Sequence, residues 1–137
     1  MRVAPALVLV ALASACPVPP GPDVVLVLPQ GTDCTVDDTC AFDFGVVPSG
    51  AVTNATFAVD NRGAVDASID TVALVGDGAL TLVARPAATL GAGQSADLTL
   101  GANPAAATTV GAQLVLRWTY RDVVNAQLAV QLSATGR

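Results

Sequence analysis

Cys16, Cys34, Cys40 and the aspartates are the residues of this chain whose types could do chemistry. Histidine, lysine and glutamate are all absent, which removes the commonest general base and metal ligand together with the usual amine nucleophile. No Gly-x-Ser-x-Gly elbow and no Walker-type phosphate loop is present. Asp43 and Asp60 could form a carboxylate pair in principle, but both fall at outward positions of alternating strands, where an aspartate is solvated. Asp33, Asp37 and Asp38 suggest calcium, yet their spacing lacks the glycine and terminal glutamate of an EF-hand loop. They read as a solvated acidic turn. Catalysis, a cofactor, a bound metal and a small-molecule substrate are therefore not expected.

The cysteines point to export. Cys34 and Cys40 enclose five residues, which is not the spacing of a Cys-x-x-Cys redox motif but suits a bridge in an oxidising compartment. Closing so small a loop contributes about 2 kcal/mol by chain-entropy arithmetic. Three cysteines leave one over, and an exported chain needs a role for it. Residues 1–15 read as a signal peptide, with Arg2 as the charged start, residues 3–12 as the apolar run and Ala13-Ser14-Ala15 as a cleavage motif. The apolar run is short of the ~20 residues that span a bilayer. Leu12-Ala13-Ser14-Ala15-Cys16 resembles the bacterial lipobox, in which the cysteine is acylated and becomes the mature N-terminus. That pattern prefers Leu where Ala13 stands, and Ala13-Ser14-Ala15 equally fits ordinary signal peptidase. With Cys16 lipidated, Cys34 and Cys40 are left as the disulfide pair; the rival is that Cys16 pairs and one of the others stays free. Residues 16–22 hold four prolines and read as a stiff tether.

Residues 23–137 must supply the folded domain, and their core must come from Val, Leu and Ala. Apolar residues make up 53% of the whole chain but aromatics only 4%. Eleven Asp against six Arg give a net charge of −5, without the basic stripe that phosphate binding needs, so no nucleic-acid partner is expected.

The organising stretch is residues 42–63. Phe42, Phe44 and Val46 alternate with Asp43 and Gly45, Pro48-Ser49-Gly50 turns the chain, and Ala55, Phe57 and Val59 alternate again. Asn61-Arg62-Gly63 reads as a second turn, whose Asn and Gly can take positive φ. Further strands are expected at 24–28, 67–75, 80–84, 96–100, 113–121 and 126–135. The 67–75 strand needs a bulge near Asp70-Thr71, because Ile69, Val72 and Leu74 cannot otherwise share a face. Residues 31–40 and 90–95 read as loop and turn. Seven to eight short antiparallel strands without helical periodicity predict an all-β sandwich of immunoglobulin type.

The order Phe44-Gly45, Val47, Gly50, Phe57-x-Val59-x-Asn61-x-Gly63, Ala67-x-Ile69, Val72-x-Leu74-x-Gly76, Leu90-x-x-Gly93 and Leu98-x-Leu100 resembles the immunoglobulin-like domains of the abnormal-spindle and hydin (ASH) type. Bacterial relatives are called choice-of-anchor D domains, and the major sperm protein fold is a cousin. The resemblance covers roughly residues 23–136. It implies an exported surface protein, commonly with the domain in tandem. This chain departs from that pattern with a single copy and with the Cys34–Cys40 loop.

Arg117, Thr119 and Arg121 share the outer face of one expected strand and, with Gln127 and Gln131 on the next, form the candidate binding face. A polar sheet surface that keeps the sandwich soluble is the plainer reading of the same residues. Trp118 and Tyr120 alternate inward. The expectation is a non-enzymatic cell-envelope lipoprotein, held in a bacterial membrane by its lipid, whose domain binds an envelope or surface protein or serves structurally. The alternative is a soluble secreted adhesin- or inhibitor-like sandwich.

Overall fold

The computed structural model describes residues 22–36, 38–120 and 123–137, with the side chains at 120 and 123–125 outside the description. The expected signal peptide, Cys16, most of the tether, Asp37, Arg121 and the Tyr120 side chain therefore lie outside the described residues.

Ten strands follow in chain order: β1 (Val24–Val27), β2 (Asp33–Cys34), β3 (Cys40–Val47), β4 (Thr53–Asn61), β5 (Ala67–Gly76), β6 (Leu80–Ala84), β7 (Thr89–Leu90), β8 (Ser95–Ala102), β9 (Thr109–Tyr120) and β10 (Val123–Gly136). They form two five-stranded sheets, ordered β2-β1-β4-β8-β6 and β3-β10-β9-β5-β7. No helix occurs among the described residues. The fold is an all-β sandwich of immunoglobulin type.

Period-2 alternation explains most of it. Phe57 and Val59 of β4, Leu98 and Leu100 of β8, Leu114 and Leu116 of β9, and Leu128 and Val130 of β10 are almost wholly buried between the sheets. Fully burying one such side chain stabilises by about 1.5–3 kcal/mol. Few aromatics are needed. Phe57 packs edge-on against Phe42 at 5.2 Å, and Phe42 against Phe44 at 5.1 Å, in the geometry favoured by ring quadrupoles. Trp118 points inward and is buried. The bulge expected in the 67–75 strand is present as a register shift between Ile69 and Thr71 against β9.

Four expectations are corrected. There are ten strands rather than seven or eight, because β2 and β7 lie in segments read as loop and turn. Each is only two residues long, too short to leave a periodic signal. The pairing is not wholly antiparallel: β3 runs parallel to β10, from Val130↔Cys40 to Gly136↔Val47. β3 also changes phase along its length. Gly45 has φ +79°, a left-handed conformation that an L side chain resists, and the register against β10 shifts there. Val46 is consequently 63% exposed and Val47 is buried in its place. Finally, Asn61 is the last residue of β4 and is buried, and it is not among the positive-φ residues.

The N-terminal strand region thus changes sheets. β1 pairs with β4 in one sheet, the chain turns back as β2 along β1, and β3 then joins β10 in the other sheet. The crossover between them positions the site described next.

Candidate functional site

The crossover is closed by a disulfide between Cys34 and Cys40, whose Cα atoms stand 6.0 Å apart. Cys34 is fully buried in β2 of one sheet, whereas Cys40 begins β3 of the other. One covalent bond therefore joins the edges of both sheets. A tight turn leads into it: Gly31 N–H donates to the Leu28 carbonyl at 2.8 Å and Leu28 N–H to the Thr32 carbonyl at 2.9 Å.

Beside this bridge lies a recess of about 350 Å³, lined by Leu28, Thr32, Asp33, Asp38, Thr39 and Ala41 among others. That volume is at the lower end of the range for ligand clefts. The two carboxylates are already engaged. Arg62 donates to both oxygens of Asp33, from Nη1 at 2.7 Å and Nη2 at 3.1 Å, and reaches Asp60 at 3.2 Å. Asp60 in turn accepts from the Ser95 hydroxyl. The hydrogen bond from Arg62 holds the Asp33 carboxyl below the usual carboxylate range, and Asp33 and then Asp60 raise the pKa of the guanidinium. Asp38 accepts from the Thr35 N–H at 3.0 Å and the Thr35 hydroxyl at 3.1 Å, both at Oδ2. The recess is thus rimmed by carboxylates that already accept from Arg62 and Thr35. Among the described residues, no group of three or more metal-ligating side chains converges.

Asp43 and Asp60, the carboxylate pair weighed above, lie in different sheets. Asp43 accepts from Gly45 N–H at 2.8 Å, so it supports the β3 bulge.

The candidate binding face is partly assembled. Arg117 and Gln127 stand opposite each other on β9 and β10, and Arg117 Nε donates to Gln127 Oε1 at 2.7 Å. Thr119 is half-buried two residues along β9. Gln131 lies four residues along β10, opposite Gln113, which places it about 13 Å from Gln127. Arg121 lies outside the described residues. Between the Arg117–Gln127 and Gln113–Gln131 rows, Ala73, Val115 and Ala129 stand in register across β5, β9 and β10. The recess was missed in the sequence because only the fold brings its two stretches, residues 28–33 and 38–41, against each other. Only the acidic loop hinted at it.

A family model described as HYDIN/CFA65/VesB-like, Ig-like domain matches residues 36–133. The chain belongs to this family. Among solved structures, the ASH/PapD-like domain 7 of human CEP192 superposes with TM-score 0.63 at 11% identity, covering 90% of this chain and 91% of that one. The Vibrio cholerae VesB protease matches with TM-score 0.58 at 12% identity over 71% of this chain. This chain spans only 30% of the VesB chain. A Porphyromonas gingivalis W83 protein of unknown function matches with TM-score 0.57 at 18% identity, covering 81% of this chain and 46% of that one. No curated protein matches the chain. At these identities the likeness concerns the fold. The ASH-type resemblance seen over residues 44–100 agrees with the family, whose Ig-like domains of this type suggest a structural or binding module.

Proposed function

We propose that this chain is a non-enzymatic envelope protein, held to a bacterial membrane by a lipid on Cys16, that presents its Ig-like domain to a protein partner. The Cys34–Cys40 bridge carries the reading, because a disulfide joining two sheets suits an oxidising compartment and leaves Cys16 as the remaining cysteine.

The start of the domain adds support. Asp23 N–H donates to Asn61 Oδ1 at 3.2 Å and its carbonyl accepts from Arg62 N–H at 2.8 Å. A tether ending at residue 22 would therefore enter the sandwich at the Asn61 end. The opposite end carries the 48–52 and 103–108 loops, joined by Gly50 N–H to Asn103 Oδ1 at 3.2 Å, and the Ser49 hydroxyl of the first loop donates to the Arg137 carbonyl at 3.2 Å. In this reading that end faces away from the bilayer, with the acidic recess on the flank.

The second reading is a soluble secreted domain, favoured by Ala13 at the lipobox position that prefers Leu. Fractionation separates the two. The anchored reading expects the unsubstituted chain in detergent-extractable membranes and Cys16→Ser in the soluble fraction. Both forms in the soluble fraction would leave the secreted reading standing.

A further inference from the structure

The two ends of the Cys34–Cys40 bridge are not equivalent. Cys34 is fully buried, stands opposite Leu26 of β1 and belongs to the core cluster with Leu28 and Phe57. Cys40 begins β3 opposite Val130, is only partly buried, and lines the recess with Thr39 and Ala41. Among the described residues, Cys40 alone of the two bridge cysteines reaches that lining. A reagent in solution therefore meets the bridge from one side.

The recess suits a small molecule. Its volume is about 350 Å³, with Leu28 and Ala41 as apolar lining and Gln30, Thr32 and Thr39 as uncharged polar lining. Its charge is negative. The five residues enclosed by the bridge include Asp37 and Asp38 and no cation. Arg62, which pairs with Asp33 of the lining, is shared with Asp60, so its charge is already offset.

We propose that Cys40 is a site of reversible S-thiolation, reached through the recess by small thiols of neutral or positive charge. The thiolate attacks Cys40 Sγ and a new sulfur–sulfur bond forms. The Cys34–Cys40 bond breaks, and its electron pair goes to Cys34 Sγ. The proton of the incoming thiol ends on Cys34, so the incoming sulfur is oxidised to the disulfide level and Cys34 is reduced to a thiol. Burial shields Cys34 from the same attack. Cys34 stays beside the adduct, so it expels the thiol and recloses the bridge when the thiol is diluted. The proposal does not depend on a lipid at Cys16, since the bridge is the same in an anchored and in a secreted chain.

Cysteamine is the probe, applied to the folded, unsubstituted full chain, with acid quenching, alkylation and mapping by tandem mass spectrometry. The adduct should lie on Cys40 and the alkyl group on Cys34. With each rate divided by that thiol's rate on a small neutral disulfide, cysteamine should react roughly threefold to tenfold faster than mercaptopropionate at low salt. The preference should shrink in about 1 M salt, where the screening length falls to about 3 Å. Ala41→Trp, which fills the recess, should slow both thiols; Thr39→Trp takes its place should that variant not fold. An adduct on Cys34, adducts shared evenly, or none below the unfolding transition would overturn the proposal. So would equal normalised rates for the two thiols, or a filled recess that reacts as fast as the open one.

Discussion

Asn61 donates from Nδ2 to the Leu90 carbonyl at 3.0 Å, and this one hydrogen bond ties the end of β4 in one sheet to β7 in the other. The same amide donates to the Val65 carbonyl at 2.8 Å, and its oxygen accepts from Asp23 N–H at 3.2 Å and Gly63 N–H at 3.0 Å. All four hydrogen-bonding positions of a buried amide are filled. Asn61 therefore closes the end of the sandwich opposite to the 48–52 and 103–108 loops.

Asn61→Ala should cost roughly 2–4 kcal/mol, because it strands several backbone groups that an apolar methyl cannot satisfy. Asn61→Asp should also destabilise, since a carboxylate cannot donate to the Leu90 and Val65 carbonyls. Urea unfolding midpoints check both. Near-native midpoints would mean that water reaches this end freely.

The Cys34–Cys40 bridge is expected to contribute about 2 kcal/mol. Reduction, or the Cys34→Ala/Cys40→Ala pair, should lower the unfolding free energy by that amount, and amide exchange should quicken first in β2 and the start of β3. Uniform quickening across β9 and β10 would show instead that the bridge holds the whole fold.

Gly76 and Gly78 offer a matched comparison on one turn. A Cβ at Gly76 would lie 2.7 Å from Ala112 Cα and 2.8 Å from the Gly111 carbonyl oxygen, at φ +140°, whereas one at Gly78 meets nothing within 4 Å. Gly76→Ala should therefore destabilise by about 2 kcal/mol or more, and Gly78→Ala by under about 0.5 kcal/mol. Thermal unfolding of the two variants side by side is the measurement.

Asp33 gives a pH prediction with a definite sign. Arg62 depresses the Asp33 carboxyl in the folded protein, so the interaction is present above the unfolded pKa of about 3.9 and is lost as pH falls through the lower folded value. Both groups are exposed, so the effect on global stability should be small. Carboxyl chemical shifts should show Asp33 titrating below an ordinary aspartate, and Arg62→Gln should return it toward the normal range. An unchanged titration in Arg62→Gln would remove the clamp on β2.

Strands with clear alternation could be read directly, because a buried face repeats every second residue. The bulge in β5 was legible for the same reason: Ile69, Val72 and Leu74 conflict in phase unless a residue is inserted. Gly45 carried a comparable hint inside β3, since glycine within a strand often marks a bulge, but strict alternation from Phe42 to Val46 masked it. The parallel pairing of β3 with β10 had no local signal, as it rests on contacts about ninety residues apart in sequence. Asn61 looked like a turn residue because its contacts to Gly63 and Val65 are local, whereas those to Asp23 and Leu90, which bury it, are invisible in its own neighbourhood. Arg117 and Gln127 were placed on one face by alternation, but only the register of β9 against β10 sets them opposite each other.

Intact mass of the mature chain from membrane and soluble fractions, before and after reduction, tests the anchored-module account most directly. The account predicts a membrane-bound species beginning at Cys16, heavier by a diacylglycerol and an acyl chain, which gains two hydrogens on reduction as Cys34–Cys40 opens. A soluble species with unmodified Cys16 would contradict it.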